Sequence, residues 1–160
     1  MVGETSVVRN LVNLAVVLDA SGSVNSEDFL TEKEFAKNIT AAFAEKNLFD
    51  NGGTASYVQF THNVDSDDTG TFYSLENFND FTDNSGQVSG GTDIDSGISA
   101  ARLLLNDAPS ASAAFMIVIT DRKIVLGTEA NDSRADGITL FAVGVGSSVN
   151  NAILLSIAGR

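Results

Sequence analysis

The sequence predicts a parallel α/β sandwich, and three observations carry that prediction. Two unbroken apolar runs, Leu14-Ala-Val-Val-Leu18 and Phe115-Met-Ile-Val-Ile119, have the length and character of strands buried on both faces of a sheet. Amphipathic helical stripes alternate with such runs along the chain, the pattern of βαβ units. Each apolar run also closes on a carboxylate, Asp19 and Asp121, and open α/β sheets bind ligands outside the carboxyl ends of their strands.

The elements follow in order. Residues 1–10 are polar and read as a tail, with one domain over 11–160. A strand is expected over Leu11–Asp19. Asn25-Ser26-Glu27-Asp28 then offers an N-cap with acidic groups in the first turn, which complement the helix dipole. A helix over about 28–46 places Phe35, Ile39 and Phe43 on one stripe toward the sheet. Asn51-Gly52-Gly53 ends that pattern, and Ala55–Thr61 reads as a strand. Thr71–Leu75 is a short further strand, and Glu76–Asn84 a short helix turning Phe78 and Phe81 inward.

Ile94, Ile98, Ala101 and Leu105 form a helical stripe that ends near Asn106, before Pro109, the only proline. Ala113–Thr120 is a central strand, Thr128–Asp136 a helix and Ile138–Val145 a strand. Asn150–Ala158 is a last helix expected to bury Ile153, Leu154 and Ile157. No internal repeat or linker interrupts the series.

Composition bounds the function. At 160 residues and 43% apolar content, the chain is long enough to bury roughly two-thirds of its unfolded surface around a real core. It has no cysteine, which removes disulfides, thiolate metal sites and thiol catalysis together. A formal charge of −12 argues against nucleic acid and anionic membranes, which call for a Lys/Arg footprint. No run approaches the roughly 20 apolar residues of a membrane span. The single histidine, His62, lies in a loop, and without a G-x-S-x-G elbow no Ser-His-Asp hydrolase is supported. There is no phosphate-cradling G-x-x-x-x-G-K-[ST] loop, and Gly144-Val-Gly146 lacks the third glycine of a dinucleotide fingerprint. An enzyme is not expected.

The chemistry concentrates in three short segments. Asp19-Ala-Ser21-Gly-Ser23 presents a carboxylate and two hydroxyls at alternate positions, a set of oxygen ligands suited to a hard divalent cation. Gly90-Gly91-Thr92-Asp93 places a hydroxyl in a glycine turn before a helix, and Ile119-Thr120-Asp121 ends a strand on a second carboxylate.

Together these segments resemble the von Willebrand factor type A domain and its metal-ion-dependent adhesion site. Val58-Gln-Phe60 and Phe141-Ala-Val-Gly144-Val-Gly146 match further family strands in order. The resemblance implies a three-layer α/β/α, Rossmann-like sandwich with a doubly wound, mostly parallel sheet and one antiparallel edge strand, Thr71–Leu75. It also implies one Mg²⁺ (Mn²⁺ or Ca²⁺ as alternatives) held by Asp19, Ser21, Ser23, Thr92 and Asp121, with an open position for a Glu or Asp side chain of a protein or matrix partner. The family usually has Gly after the last Asp, whereas Arg122-Lys123 stand here. Arg122 and Asp93, each beside a ligand position, are candidate modulators of the site.

Asp65, Asp67 and Glu76 sit at the first, third and twelfth positions of an EF-hand-like spacing, with Gly70 at the sixth. Their flanks read as strands, so an acidic hairpin turn is the preferred reading, with a weak surface Ca²⁺ site at these residues as a second candidate. The expected setting is extracellular or cell-surface adhesion in a microbial protein, since many animal extracellular versions of the domain carry a disulfide. The rival readings are a cytoplasmic scaffold subunit of an ATPase-type assembly and a matrix module with an impaired metal site.

Overall fold

The computed structural model describes residues 10–121, 127–147 and 149–159. Its elements run β1 Val12–Asp19, α1 Ser26–Glu45, β2 Thr54–Phe60, β3 Thr69–Phe72, α2 Leu75–Asn84, α3 Ile94–Asp107, β4 Ala113–Thr120, α4 Glu129–Ala135, β5 Ile138–Gly144 and α5 Asn151–Ala158. One five-stranded sheet has the order β3-β2-β1-β4-β5. β1 lies parallel to both β2 and β4, β5 is parallel to β4, and only β3 runs antiparallel, along the outer edge of β2. This is the expected mostly parallel sheet with one antiparallel edge strand.

The period of two in β1 divides its side chains between two cores. Ala15 and Val17 join Phe60, Ile94, Ile98, Met116 and Ile157 on the face covered by α3, α4 and α5. Leu14, Val16 and Leu18 join Ala36, Tyr57, Phe78 and Ile119 on the face covered by α1 and α2. Helices on both faces of the sheet make three layers. α3 lies close against the sheet at Gly97, where an added Cβ would meet the Phe60 ring at 2.6 Å and Val17 Cγ1 at 3.0 Å.

Three local expectations shift. The edge strand starts at Thr69, two residues early, because Asp65 caps a 3₁₀ turn over Ser66–Asp68 that leads straight into it. The chain beyond Phe72 turns so that Ser74 can cap α2, its side chain accepting from the Asn77 N–H. α1 is capped by Asn25 and begins at Ser26. Its fully buried face is Phe29, Glu32, Lys33, Ala36 and Thr40, while the expected stripe of Phe35, Ile39 and Phe43 flanks that face, partly buried. In α5 only Ile157 is fully buried; Ile153 and Leu154 are half-covered because this helix lies against β5 at the edge of the sheet. Of the expected N-terminal tail, 1–10, only Asn10 falls within the described residues.

Candidate metal centre

The chain leaves β1 toward β2 on one side and later returns to β4 on the other, so the carboxyl end of β1 is the topological switch point where a crevice opens. Asp19 stands there, fully buried. Its Oδ1 accepts from the Ser21 N–H at 3.0 Å and its Oδ2 accepts from Thr120 Oγ1, at the end of β4, at 2.7 Å. Ser21 Oγ and Ser23 Oγ lie 3.1 Å apart, the first buried and the second exposed at the mouth. Asp121, one residue past β4, is 6% exposed.

Backbone bonds bring the third segment in. Gly22 N–H donates to Gly90 O at 3.0 Å, Ser89 N–H to Ala20 O at 3.1 Å, and Asp93 N–H to Thr61 O at 2.6 Å. Gln87 Nε2 adds donations to the carbonyls of Ser21 and Val24. The glycine pair matters because a Cβ at Gly91 would approach His62 Cβ to 3.2 Å, so a side chain there would press on the residue just past β2. His62 is therefore an exposed packing partner of this loop. Among the described residues, Thr92 Oγ1 is buried without a hydrogen-bond partner. An orphaned buried hydroxyl, a converging pair of serine hydroxyls and two buried aspartates suit a hard cation, whose ligands are oxygens. The residues present fit the metal.

A profile of the von Willebrand factor type A domain matches residues 13–160. The chain belongs to this family. It is 32% identical to human cochlin over 143 residues, 85% of this chain and 25% of that protein. It is 28% identical to the collagen alpha-1(XXI) chain of Xenopus laevis over 151 residues, 92% of this chain and 16% of that one. The chain thus spans a quarter or less of these relatives. Among solved structures, proximal thread matrix protein 1 from the mussel byssus superposes with a TM-score of 0.71 at 23% identity, over 91% of this chain and 40% of that one. A second structure of that byssus protein, with zinc in its adhesion-site motif, gives 0.68 at 23% identity over 92% of this chain and 41% of that one. At such identity these structures speak for the type A fold alone.

The surroundings of the centre add residues that the sequence reading passed over. Thr120 is one. Glu32 is another: it is fully buried, and neither of its carboxyl oxygens has a hydrogen-bond partner among the described residues. Burial, with the carboxylates of Asp19, Asp121 and Asp28 around it, pushes its pKa up to about 10; the Asp19 backbone N–H, which faces it without closing a hydrogen bond, pulls the other way. Lys33, next in sequence, is engaged elsewhere, donating to the carbonyls of Asp83 and Ser85 at the end of α2. A face running 29, 32, 33, 36 and 40 has helical spacing, so Phe29 and Ala36 were the signal for Glu32.

Two sequence candidates come out differently. Asp93 uses both carboxylate oxygens to cap α3, accepting from Ser96 N–H at 3.2 Å and Ser96 Oγ at 2.9 Å. The EF-hand-like set is not a loop between helices: Asp65 accepts from the Asp67 N–H within the 3₁₀ turn, and Glu76 lies beyond β3 in the first turn of α2. Among the described residues, no group of three or more acidic or imidazole side chains is placed to hold a metal. Arg122 and Lys123 lie outside the described residues. No helix among the described residues is long and apolar enough to cross a membrane.

Proposed function

We propose that this type A domain binds an acidic side chain of a protein or matrix partner through a divalent cation, without catalysis. The observation that carries this reading is the buried hydroxyl of Thr92, partnerless among the described residues, in a loop tied to the Asp19-Ser21-Ser23 segment. Ser21, Ser23 and Thr92 would supply hydroxyl ligands to Mg²⁺, with Mn²⁺ or Ca²⁺ as substitutes. Asp19, whose oxygens accept from Ser21 N–H and Thr120 Oγ1, and Asp121 would act directly or through water. The cation, when bound, offers an open coordination position that a Glu or Asp carboxylate completes. Partial neutralisation by two aspartates leaves it attractive to a carboxylate and indifferent to a neutral group.

The cochlin and collagen relatives support an extracellular, matrix-type setting over an intracellular scaffold. Calorimetric titration with Mg²⁺, Mn²⁺ and Ca²⁺ tests the reading, with Thr92→Val as its probe. This variant keeps the side-chain shape and removes the ligand oxygen. Binding by the wild-type chain that is lost in the variant is the expected result; equal binding by both excludes Thr92 from the site.

A further inference from the structure

Among the described residues, Glu32 is the one buried carboxyl that the arrangement so far leaves without a task. It sits mid-way along the inner face of α1, between Phe29 and Ala36, with no exposed surface. Among the described residues, the charged groups that bear on it are acidic: Asp19 at the end of β1, Asp121 after β4, and Asp28 one turn earlier on α1. Asp28 itself is held close to the centre, since a Cβ on Gly146 would stand 2.8 Å from Asp28 Oδ2 and 3.9 Å from Asp121 Cβ. The nearest cation in sequence, Lys33, is turned to the carbonyls of Asp83 and Ser85. For folding alone, a methionine or leucine would serve this position better. A buried carboxyl without partner or counter-charge opposes folding, and apolar replacements at such places are commonly neutral or stabilising.

We propose that Glu32 is a positioning residue of the metal centre, acting from behind Asp19 to raise the affinity of the site for a divalent cation. This rests on the metal-binding reading above. Charge and acceptors are what a carboxyl offers here. Two positive charges at the mouth of the crevice would oppose the negative charge of this group of carboxyls. In a desolvated setting, the attraction between such a cation and a carboxyl behind the first layer is weakly screened. The Asp19 N–H that faces Glu32 couples it to the backbone at the end of β1, from which Ser21 and Ser23 follow within four residues. Groups of this kind, one layer removed from a metal, tune affinity through the ligands they support.

The test uses the purified chain and Mn²⁺ as the probe, with Glu32→Met, Glu32→Gln and an exposed control, Glu34→Gln. Mn²⁺ affinity is read by calorimetry, and melting is followed separately in EDTA. The expected result is that E32M melts higher in EDTA yet binds Mn²⁺ about tenfold more weakly, E32Q binds several-fold more weakly, and E34Q matches the wild type. A role confined to packing would move melting in EDTA and leave affinity unchanged. Affinities of E32M and E32Q within about twofold of the wild type therefore overturn the proposal while leaving the metal site standing. Should E32M fail to fold, E32Q decides by the same criterion. A wild-type chain that takes no Mn²⁺ overturns this proposal together with the reading it rests on.

Discussion

Thr120 Oγ1 donates a 2.7 Å hydrogen bond to Asp19 Oδ2, joining residues 101 positions apart at the adjacent ends of β4 and β1. With Ser21 N–H on Oδ1, it fixes the Asp19 carboxylate in one orientation before any ligand arrives. Such preorganisation is what a metal centre needs from the layer behind its ligands. It also makes Thr120, a strand residue, part of the candidate site.

Thr120→Val tests that role. The substitution keeps the β-branched shape and deletes one donor, leaving a buried carboxylate oxygen short of its partner. Such a loss destabilises by ~1–3 kcal/mol. Urea denaturation in EDTA measures it, and an unchanged midpoint would mean that the hydroxyl is dispensable to Asp19.

Divalent cations should raise the melting temperature and EDTA should lower it. A ligand that binds only the folded state stabilises it by about 2.7 kcal/mol at ~100 times its dissociation constant. Asp19→Ala removes the carboxylate that Ser21 and Thr120 hold, so its melting should not respond to Mg²⁺ or Mn²⁺. Melting curves of the wild type that ignore millimolar Mg²⁺, Mn²⁺ and EDTA alike would favour a matrix module without a working site.

Much of this architecture was legible in the chain, for reasons that differ by element. β1 and β4 announced themselves because strands covered on both faces must be apolar throughout, as Leu14–Leu18 and Phe115–Ile119 are. The candidate ligand residues stood out because they close those strands or open the following turns. α1 was legible as a helix and misread in its orientation. Phe35, Ile39 and Phe43 outweighed Phe29, Ala36 and Thr40 because the true inner face also holds Glu32 and Lys33, which hydropathy assigns to water. Lys33 is accommodated by two carbonyls of a helix end, a tertiary contact over 50 residues that no local pattern encodes. The start of β3 slipped because the capping of a 3₁₀ turn by Asp65 is a local hydrogen bond, indistinguishable in composition from an acidic loop.

Stability of the metal-free protein should fall with rising pH through Glu32. The carboxyl titrates at 4.5 when unperturbed and is raised to about 10 in the fold, chiefly by burial. Between those values the folded protein holds a proton that the unfolded chain has released, so the unfolded state gains on the folded one as pH rises. The contribution is fully present below 4.5 and lost progressively toward 10. Glu32→Gln removes the ionisation, so its advantage over the wild type in EDTA should grow between about pH 6 and pH 9. Parallel stability curves across that range would show that Glu32 keeps an ordinary carboxylate pKa.

Gly97→Ala sets two effects against each other within α3. In a helix interior Ala is preferred over Gly by about 1 kcal/mol, which favours the substitution. The new Cβ, however, would lie 2.6 and 2.9 Å from two ring carbons of Phe60 and 3.0 Å from Val17 Cγ1. Phe60 and Val17 are both fully buried in strands of the sheet, so neither has room to retreat. Overpacking of this kind opposes folding by ~1–3 kcal/mol, and with a rigid ring as the obstacle the upper part of that range applies. A net loss of about 1–2 kcal/mol is expected. The helix has a second reading, because Thr92 stands just ahead of its N-cap residue Asp93. Pushing α3 off the sheet draws Thr92 from the Asp19 loop, so cation affinity should fall together with stability. Gly86→Ala is the control, since an added Cβ there meets nothing within 4 Å. If Gly97→Ala matches this control in both denaturation midpoint and Mn²⁺ affinity, then α3 can move outward freely and the close approach at Gly97 does not set the position of Thr92.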